Sequence, residues 1–537
     1  MRTAHPVEVV RAAERALMAR VPDGTLMQRA AAGLAATCAG VLGRSYGARV
    51  VVLAGSGDNG GDALYAGARL ADRGADVTAV AAGPQLHPGG AAELRDRGGR
   101  VIAAVAAPGP AAAPGPAAGS PHATAGSADP ATEPTPGDGA TGRAIAADAA
   151  AAIAAADLII DGLTGIGGRG GLREPAASLA RLVARARTAG TLVVAVDLPS
   201  GIDADTGEVA GAAIAADVTV TFGTLKPGLL VDPGASQAGT VELIDIGLGP
   251  YLPEPAVVAL QAADVAAILP EPSAESDKYR RGVLGLLAGS EQYTGAAVLA
   301  AGGAIRVGAG MVRLVSAAPA VAAVRQRWPE VVLTTYDPGQ PAEAIRAAGR
   351  VQAWTAGPGL GTGATARQLL AEALASDLPV LVDADGLTVL SEHRGLLPRR
   401  APTLITPHAG ELARLLLADR ADIEARRLHY ARLAAAQLGV TVLLKGSTTV
   451  IARPDDAGPI LVNSTGSSWL ATAGSGDVLS GMAGGLLAQG AEAAHAAAAA
   501  AYLHGIAARL AALDAPIGAS DLFGAIPAAI RTVKDLY

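Results

Sequence analysis

The feature that most constrains the fold is a short apolar run that ends in Gly or Asp, is followed by a helical pattern, and recurs in two series. Such runs are typical of buried parallel strands, and right-handed strand-helix-strand crossovers place helices on both faces of a sheet. The sequence therefore predicts two α/β domains, each with three αβα layers. The runs lie at 50–53, 76–82, 100–106, 157–165 and 191–201 in the first series, and at 282–289, 311–316, 351–361, 379–386, 402–411 and 440–452 in the second.

A cluster of prolines at 248–272 separates the two series. Since 537 residues are too many for one hydrophobic core, we expect domains at 1–250 and 273–537, joined by a linker at 251–272. Residues 107–143, inside the first domain, are rich in Pro, Gly, Ala, Ser and Thr and lack periodic apolar positions. They bury too little surface to offset the entropy of ordering, so this segment is predicted to be a disordered insertion.

Charge and cysteine content exclude several classes of protein. The formal net charge of −7 and the lack of a long basic run argue against a nucleic-acid-binding surface. Cys38 is the only cysteine, which excludes an internal disulfide or a cysteine-based zinc site and is typical of a reducing cytoplasm. The sequence offers no uncharged apolar stretch of about eighteen residues, so we expect no membrane span. We therefore expect a cytoplasmic protein that acts on small molecules.

A glycine loop near the C-terminus, Gly474-Ser475-Gly476-Asp477, precedes a helical pattern that begins at Val478. The unpaired N–H groups and the positive dipole end of a helix N-terminus favour an anion. The loop thus predicts a phosphate site with the Asp477 carboxylate beside it. The alternative is an ordinary helix that Asp477 caps.

Other segments of the second domain are also suited to a nucleotide. The turn at 445–449, KGSTT, places a lysine and three hydroxyls between two predicted strands, although a solvated lysine in a hairpin is equally consistent. The loop at 463–468, NSTGSS, has small residues that leave room for an adenosine. His408 follows a strand, where a helix cap competes with a binding role. Asp383 and Asp385 also follow a strand, and carboxylates there can reach a phosphate-bound metal.

Polar residues follow three strands of the first domain. Asn59, Asp161 and Ser200 supply oxygen donors that can ligate a hard cation. Asp62 and Asp197 are candidate acid/base carboxylates. An Asx turn at Asn59, a helix N-cap at Asp62 and a proline-containing turn at Asp197 are structural alternatives, and spacing alone does not decide between them.

The order of these motifs resembles one family, the bifunctional NAD(P)H-hydrate repair enzymes, in which an epimerase domain is fused to an ADP-dependent dehydratase domain. The resemblance covers nearly the whole chain apart from 107–143. The motifs are LMQRAA, GSGDNGGDA, DGLTGIG and DLPSGIDADTG in the first domain, and YTGAA, GAGMV, GPGLG, TPHAGE, KGSTT and AGSGDVLSG in the second.

The resemblance implies a Rossmann-like αβα epimerase domain and a ribokinase-like αβα dehydratase domain. Such an epimerase interconverts the R and S forms of the hydrates NADHX and NADPHX. The dehydratase uses ADP to return the S form to NADH or NADPH, releasing AMP and phosphate. The resemblance also implies K⁺ in the epimerase and Mg²⁺ with ADP in the dehydratase. We expect a homo-oligomer with small-molecule partners only.

The family's functional positions match residues of both domains. The carboxylates that transfer protons match Asp197 in the epimerase and Asp477 in the dehydratase. The potassium ligands match Asn59, Asp161 and Ser200. The substrate positions match Asp58, Asn59, Gly60, Gly61, Asp62, Gly165, Ile166, Gly167, Gly168, Arg169, Gly170, Gly171 and Asp197 in the epimerase, and Ala296, Gly359, His408 and Asp477 in the dehydratase. The nucleotide positions match Lys445, Gly446, Ser447, Thr448, Thr449 and Gly476.

The chain departs from the family pattern at a few positions. Asp58 replaces a frequent asparagine, and Ala63 replaces a frequent glycine; an extra carboxylate near a diphosphate is expected to weaken epimerase affinity. Ser467, Ser468 and Trp469 replace smaller or proline-containing residues, which is expected to reshape the adenine side. The alternative function is a ribokinase-like small-molecule kinase, such as a vitamin-precursor kinase, fused to a non-catalytic α/β binding module.

Overall fold

The structure is a computed structural model that describes residues 1–105, 144–455 and 458–536. The predicted insertion at 107–143 therefore lies outside the described residues. The chain divides into two compact units, which we call the first and the second unit. The first unit comprises Asp23–Gly201 and Ala210–Val220; the second comprises Met1–Pro22, Ile202–Val209 and Thr221–Tyr537.

The strands form where the sequence has its short apolar runs, with additional short strands between and after them. They are β1 Arg2–Ala4, β2 Arg49–Ala54, β3 Asp76–Ala81, β4 Arg100–Ala103, β5 Leu158–Gly162, β6 Leu192–Val196, β7 Val218–Phe222, β8 Thr240–Ile244, β9 Val257–Ala259, β10 Val283–Leu287, β11 Met311–Ser316, β12 Val332–Thr335, β13 Ala353–Ala356, β14 Val380–Val382, β15 Thr403–Ile405, β16 Thr441–Leu444, β17 Thr449–Ala452 and β18 Ile460–Asn463.

The helices mostly follow the strands. They are α1 Val7–Met18, α2 Thr25–Leu42, α3 Asp58–Ala71, α4 Pro88–Asp96, α5 Ala147–Ala155, α6 Ala176–Thr188, α7 Gly234–Ala238, α8 Ala262–Ile268, α9 Thr294–Arg306, α10 Ala318–Arg327, α11 Pro341–Ala347, α12 Ala364–Ala375, α13 Asp385–Glu392, α14 Ala409–Leu416, α15 Arg420–Ala425, α16 Arg427–Leu438, α17 Ser475–Ala488, α18 Ala493–Ala512 and α19 Leu522–Asp535. Among the described helices, none combines the length and the apolar character that crossing a membrane requires.

The second unit is built on a sheet with the strand order β1-β9-β18-β17-β16-β15-β14-β13-β10-β11-β12. Strands β10 to β16 are joined by parallel pairings, whereas β16, β17 and β18 are joined by antiparallel ones. Two apolar clusters contain α9, α17 and α18 residues in one case and α12, α14 and α16 residues in the other. This arrangement confirms the predicted α/β class.

Helix α17 packs very closely against α9. A Cβ atom at Gly481 would lie 2.0 Å from the Ala300 carbonyl oxygen, and one at Gly303 would lie 2.2 Å from the Val478 carbonyl oxygen. Both values are far below van der Waals contact, so glycine is required at each crossing point. This close contact fixes the start of α17, which carries the glycine loop.

The first unit contains a parallel sheet whose strands run in the order β4-β3-β2-β5-β6-β7. Its core includes Leu53, Ile159 and Val193 from three neighbouring strands. The carboxyl ends of β2, β5 and β6 are adjacent, as expected for a Rossmann-like domain. The three polar turns predicted from the sequence therefore meet at one edge.

The segment predicted as a linker, 251–272, is more ordered than a linker. Strand β9 pairs antiparallel with β1 and parallel with β18, and Val257 and Val258 are buried. Helix α8 follows, with a capping box formed by Gln261 and Asp264. The division near residue 220 also differs from the expected boundary, because Leu225 and Val231 are core residues of the second unit.

Two helices begin earlier than predicted. The helical periodicity of the sequence resumes only after Asp62, which predicts a later start for α3, but this helix begins at Asp58. Helix α17 begins at Ser475 rather than at Val478. In both cases glycines in the first turn hide the apolar periodicity that marks a helix in a sequence. The glycine motifs are therefore the first turns of these helices rather than loops before them.

Two candidate active sites

The first turn of α17 is an open anion-binding end. Its N-cap is Gly474, at φ 86°, and no side chain among the described residues caps the helix. The Ser475 hydroxyl is used elsewhere, since it donates to the Leu470 carbonyl at 2.7 Å. Gly476 and Asp477 follow within the first turn, where free N–H groups favour phosphate. Asp477 is thus not the N-cap of this helix, so the alternative of an ordinary helix capped by Asp477 is excluded.

A buried charge cluster faces this helix end. Lys445 Nζ lies 2.8 Å from Asp383 Oδ1 and 3.8 Å from Glu411 Oε2. The Ser480 hydroxyl donates to Asp383 Oδ2 at 2.5 Å, so both Asp383 oxygens have partners. Burial lowers the pKa of Lys445, but the charges of Asp383 and Glu411 outweigh burial and raise it overall. Lys445 is therefore a fixed cation rather than a solvated hairpin residue.

Asp477 carries the acid/base character of the site. Burial raises its pKa to about 7, the charges of Asp383, Asp385 and Glu411 add to this effect, and Lys445 opposes it. A carboxyl group with this pKa changes protonation near neutral pH, which suits a general base.

His408 is a helix cap that also faces the site. Its Nδ1 accepts hydrogen bonds from the backbone N–H groups of Gly410 at 3.0 Å and Glu411 at 3.3 Å, while Glu411 accepts from His408 N at 2.8 Å. Burial is the main cause that lowers the His408 pKa. Because Nδ1 accepts, the proton of the neutral ring is on Nε2. His408 is therefore a helix cap that also lines the larger cavity, and its binding role stays a prediction.

Two cavities meet at the start of α17. The larger has a volume of 740 Å³ and the smaller 460 Å³. Gly476 lines the larger cavity and Asp477 lines the smaller one, so adjacent residues serve both. The predicted residues that line the larger cavity are His408, Lys445, Gly446, Ser447, Thr449 and Gly476. Those that line the smaller cavity are Ala296, Gly359 and Asp477.

Thr448 is the predicted nucleotide residue that the structure does not bring into the cavity. Its side chain is buried, and its hydroxyl accepts a hydrogen bond from Asp232 N at 2.9 Å. His408 was expected among the hydrate positions, yet it lines the larger cavity with the phosphate residues. The 463–468 loop lines the larger cavity through Asn463, Gly466, Ser467 and Ser468, and its role beside an adenosine stays a prediction.

Sequence reasoning missed Arg427, which supports the KGSTT turn. Arg427 is buried, and its Nη2 donates to the Lys445 carbonyl at 2.7 Å. A Cβ atom at Gly446 would lie 2.0 Å from the same nitrogen, so glycine is needed for this contact. Arg427 begins α16 among other arginines, and the sequence has no signal that distinguishes it from a surface residue.

In the first unit, Asp161 and Ser200 form a buried pair. Asp161 accepts from the Ser200 hydroxyl at 2.6 Å and from Ser200 N at 2.8 Å, and both residues are fully buried. Burial raises the Asp161 pKa to about 6, while the hydrogen bonds from Ser200 and Leu163 oppose this effect. The Asp161 carboxylate and the Ser200 hydroxyl therefore bring several oxygen atoms together beneath the predicted substrate loops.

Asn59 and the second loop lie beside this pair. Asn59 Nδ2 donates to the Val196 carbonyl at 2.6 Å, which directs its Oδ1 toward Gly165: a Cβ atom there would lie 2.2 Å from Oδ1. Gly165 to Gly171 continue from this contact, and Arg169 is exposed. The potassium positions and both predicted substrate loops thus share one edge of the sheet.

Asp197 directly follows β6 and has a left-handed conformation, with φ 64°, and its side chain is buried. Positive φ is uncommon for residues other than glycine, and Asp and Asn tolerate it best.

Asp62 is also buried, on the second turn of α3. Asp58, in contrast, is exposed at the start of α3. The Ala63 methyl group packs at Gly162, where a Cβ atom would lie 2.6 Å away, so glycine in β5 accommodates this alanine.

The oxygen atoms of Asn59, Asp161 and Ser200 suit a monovalent cation better than a divalent one. Within the residues that the structure describes, no three His, Cys, Asp or Glu side chains gather as a metal site. A cation beside Asp161 would have that one carboxylate together with neutral amide, hydroxyl and carbonyl oxygens. One negative charge with neutral oxygen donors matches K⁺ in charge and hardness.

Two family models match the chain. One described as NAD(P)H-hydrate dehydratase matches residues 284–527, and one described as YjeF-related protein N-terminus matches residues 23–107 and 119–228.

The bifunctional NAD(P)H-hydrate repair enzyme Nnr of Mycobacterium leprae is 44% identical over 520 residues, which cover 96% of this chain and 95% of that protein. The protein of the same name from Mycobacterium tuberculosis is 45% identical over 508 residues, covering 93% and 92%. Among solved structures, the ADP/ATP-dependent NAD(P)H-hydrate dehydratase from Bacillus subtilis, co-crystallised with ATP/Mg²⁺, is 33% identical and covers 51% of this chain and 97% of that chain, with a TM-score of 0.46.

Proposed function

The chain belongs to the family of bifunctional NAD(P)H-hydrate repair enzymes, and we propose from this premise how its residues divide the work. The enzyme is an isomerase and a lyase: it interconverts R- and S-NAD(P)H hydrate and dehydrates the S form with ADP. We assign epimerisation to the part of residues 1–250 that forms the first unit, and dehydration to residues 273–537, with 251–272 between them.

For dehydration, we place ADP in the larger cavity and the nicotinamide hydrate in the smaller one. The observation that carries this assignment is that Gly476 and Asp477 line different cavities from adjacent positions. Asp477 accepts the proton of the C6 hydroxyl, and that oxygen takes the β-phosphoryl group of ADP, leaving AMP. The bond between C6 and the phosphate oxygen then breaks as the C5 proton passes to water, so inorganic phosphate leaves and the C5–C6 double bond returns.

The positive groups of this site act on the transferred phosphoryl group. The α17 N–H groups and Lys445 stabilise its oxygens, and Arg427 holds the turn that presents Lys445. Asp385, which lines the smaller cavity, is the carboxylate that we propose as an Mg²⁺ ligand; few protein ligands are needed, since Mg²⁺ is usually held by phosphates, water and one or two carboxylates. When bound, Mg²⁺ neutralises phosphate charge during transfer.

This function is tested with hydrated NADH and ADP. We expect the absorbance of the reduced nicotinamide to return, and ADP to be converted to AMP and phosphate in equal amounts. A small-molecule kinase with a non-catalytic partner domain, the alternative function, would show no such recovery.

For epimerisation, we place the hydrate across the loops at Asp58–Asp62 and Gly165–Gly171. Asp197 is the carboxylate proposed to transfer a proton at the C6 region of the nicotinamide ring, and its buried position at a strand end is consistent with that role. Asn59, Asp161 and Ser200 would hold K⁺, which supplies positive charge beside the diphosphate. The residues fit this ion, as their single carboxylate and neutral oxygens indicate.

Removal of K⁺ is expected to lower epimerisation at least tenfold when tetramethylammonium replaces it at constant ionic strength. A bulky cation cannot enter a site whose oxygens are buried, whereas K⁺ can lose its hydration shell there. Binding is measured separately as the rise in unfolding temperature on adding K⁺. Asp161→Asn should lose this rise; an unchanged rise in that variant would contradict the site.

Asp58→Asn is expected to lower the epimerase KM for the hydrate by about twofold to tenfold, with kcat unchanged. The exposed Asp58 carboxylate repels a diphosphate-containing substrate, and exposure keeps this effect modest through screening. The measurement is the salt dependence of KM in both proteins. A KM that stays the same at low salt would show that Asp58 does not face the substrate.

The dehydration kcat/KM is expected to fall about tenfold per pH unit below pH 7, because Asp477 must be ionised to accept a proton and its pKa is about 7. Initial rates with S hydrate between pH 5.5 and 8.5 measure this profile. A flat profile below pH 7 would mean that another group accepts the proton.

We also propose a homo-oligomer in the cytoplasm. The exposed apolar side chains of Leu417 and Leu513, 83% and 81% exposed, support self-association, and the single cysteine, Cys38, is compatible with a reducing compartment. Light scattering on the full chain tests the oligomeric state.

A further inference from the structure

The sheet of the first unit reverses its strand order beside β2. The chain runs from β2 outward to β3 and β4, and then places β5 and β6 on the opposite side of β2. Both neighbours of β2 pair with it in parallel, and dinucleotides bind in the crevice outside the carboxyl ends of strands at such a reversal. A dinucleotide in this crevice has one half on the β5 side and the other half on the β3 side.

The proposed epimerase function places the nicotinamide half on the β5 side. Asp161 belongs to β5, whereas Asp197 and Ser200 belong to the turn after β6. The first turn of α3, which follows β2, is then the place for the diphosphate. The adenosine half of the substrate is left with the carboxyl end of β3 and the segment that follows it, residues 82–87.

The segment after β3 has no carboxylate, since its sequence is AGPQLH. In dinucleotide-binding folds, an acidic residue at this strand end, about 20 residues after the glycine turn, binds the ribose 2′-hydroxyl. The same negative charge disfavours a substrate that has a 2′-phosphate. The segment 82–87 therefore lacks the group that would exclude NADPHX.

His87 ends this segment and is the N-cap of α4. Its Nδ1 accepts a hydrogen bond from Gly90 N at 3.1 Å, so the proton of the neutral ring is on Nε2. His87 is partly exposed, and Nε2 is not among the buried polar atoms that lack a partner in the described residues. No described residue accepts a hydrogen bond from Nε2, which is therefore a donor open to solvent.

Packing holds the His87 ring beside the first predicted substrate loop. A Cβ atom at Gly61 would lie 3.0 Å from His87 Cγ. The rings of Tyr65 and His87 meet edge to face, with centroids 5.7 Å apart. Gly61 and Tyr65 are about one turn apart on α3, so the ring lies along this helix, next to its first turn.

We propose that His87 Nε2 donates a hydrogen bond to the 2′-phosphate of NADPH hydrate and makes NADPHX the preferred substrate of the epimerase. A phosphate oxygen is a stronger acceptor than the 2′-hydroxyl of NADHX because it is charged. Since residues 82–87 include no carboxylate, nothing in this segment repels that phosphate. This inference rests on the proposed epimerase function and names a residue that contacts the adenosine half of its substrate.

The test measures epimerisation of purified R-NADPHX and R-NADHX by the full-length protein and compares the two kcat/KM values. Wild type should favour NADPHX about tenfold, the effect of one hydrogen bond to a charged group at a partly exposed position. His87→Phe keeps a ring against Gly61 but has no N–H, so only the value for NADPHX should fall and the preference should disappear. His87→Gln, whose amide can donate, should recover part of the preference.

A second variant adds the missing carboxylate. A Cβ atom at Gly83 would meet no atom within 4 Å outside its chain neighbours, and φ is not positive there, so an aspartate can be accommodated. Gly83→Asp should lower kcat/KM for NADPHX about tenfold and change that for NADHX by less than about threefold.

The matched control is His429→Phe. His429 also meets a tyrosine ring edge to face, with centroids 5.0 Å apart, but it belongs to the second unit. This variant should keep the wild-type preference for NADPHX.

The outcomes separate this inference from the proposed function. If wild type epimerises both hydrates with equal kcat/KM, the inference is overturned and the epimerase assignment stands. Equal losses with both hydrates in His87→Phe would show that the ring only supports α3, which overturns the inference as well. Gly83→Asp overturns it if NADPHX and NADHX are affected equally. If wild type epimerises neither hydrate, the proposed function fails and the inference fails with it.

Discussion

Asp477→Asn is expected to lower the dehydration rate by about 10²-fold to 10⁴-fold, the usual contribution of a positioned general base, while epimerisation continues at the wild-type rate. Asn keeps the size of the side chain but cannot accept the hydroxyl proton. Dehydration is measured as recovery of NADH from S hydrate with ADP, and epimerisation as interconversion of purified R hydrate without ADP. The two activities separate because Asp477 and Asp197 belong to different compact units.

The stability of this variant gives an independent check that Asp477 is buried as described. A raised pKa means that the folded state holds the proton more tightly than the unfolded state. The resulting stability is present below pH 4 and is lost as pH rises through about 7. An Asn side chain does not titrate, so the variant does not lose stability as the pH rises through about 7. Asp477→Asn should therefore be at least as stable as wild type at pH 8.

The matched control is Asp514→Asn, at an exposed position with φ 64°, which Asn tolerates as well as Asp does. It should change neither activity. Equal loss of both activities in Asp477→Asn would indicate unfolding or a shared site, and unchanged dehydration would remove Asp477 from the mechanism.

The sequence predicted those features that depend on local pattern. The apolar runs marked most of the parallel strands because a buried strand needs several consecutive apolar residues, and the glycine motifs marked both helix starts to within about five residues. Strands β1 and β9 were missed because each has three residues and depends on distant pairing: β1 pairs with β9, and β9 also pairs with β18. Such strands have no local signal.

The same distinction applies to the sites. The KGSTT string identified Lys445, but no pattern in it indicates that Thr448 points into the protein and binds Asp232 N, since that depends on a segment more than two hundred residues away. Arg427 has a role set by tertiary packing, so it looks like an ordinary helix residue in the sequence. Residues within a local motif can be recognised in a sequence, whereas residues that support the motif from another element cannot.

Asp197→Asn is expected to lower epimerisation by about 10²-fold to 10⁴-fold and to leave dehydration of S hydrate unchanged. Asn retains the left-handed conformation that β6 imposes at this position, φ 64°, so the backbone and the neighbouring Ser200 should not move. With a mixture of both epimers and excess ADP, wild type should recover all of the NADH, whereas the variant should recover the S fraction and leave the R fraction.

Two comparisons decide whether that result reports on proton transfer. Asp148→Asn, a substitution at an exposed residue of the first unit, should recover both fractions as wild type does. The K⁺-dependent rise in unfolding temperature should persist in Asp197→Asn, because Asp197 is not among the proposed ion ligands. If that rise disappears with the activity, the substitution has disturbed the ion site and Asp197 acts through structure. If the rise persists and the R fraction is still consumed, a different group transfers the proton, and Asp62, a buried carboxylate that is not among the proposed ion ligands, becomes the candidate.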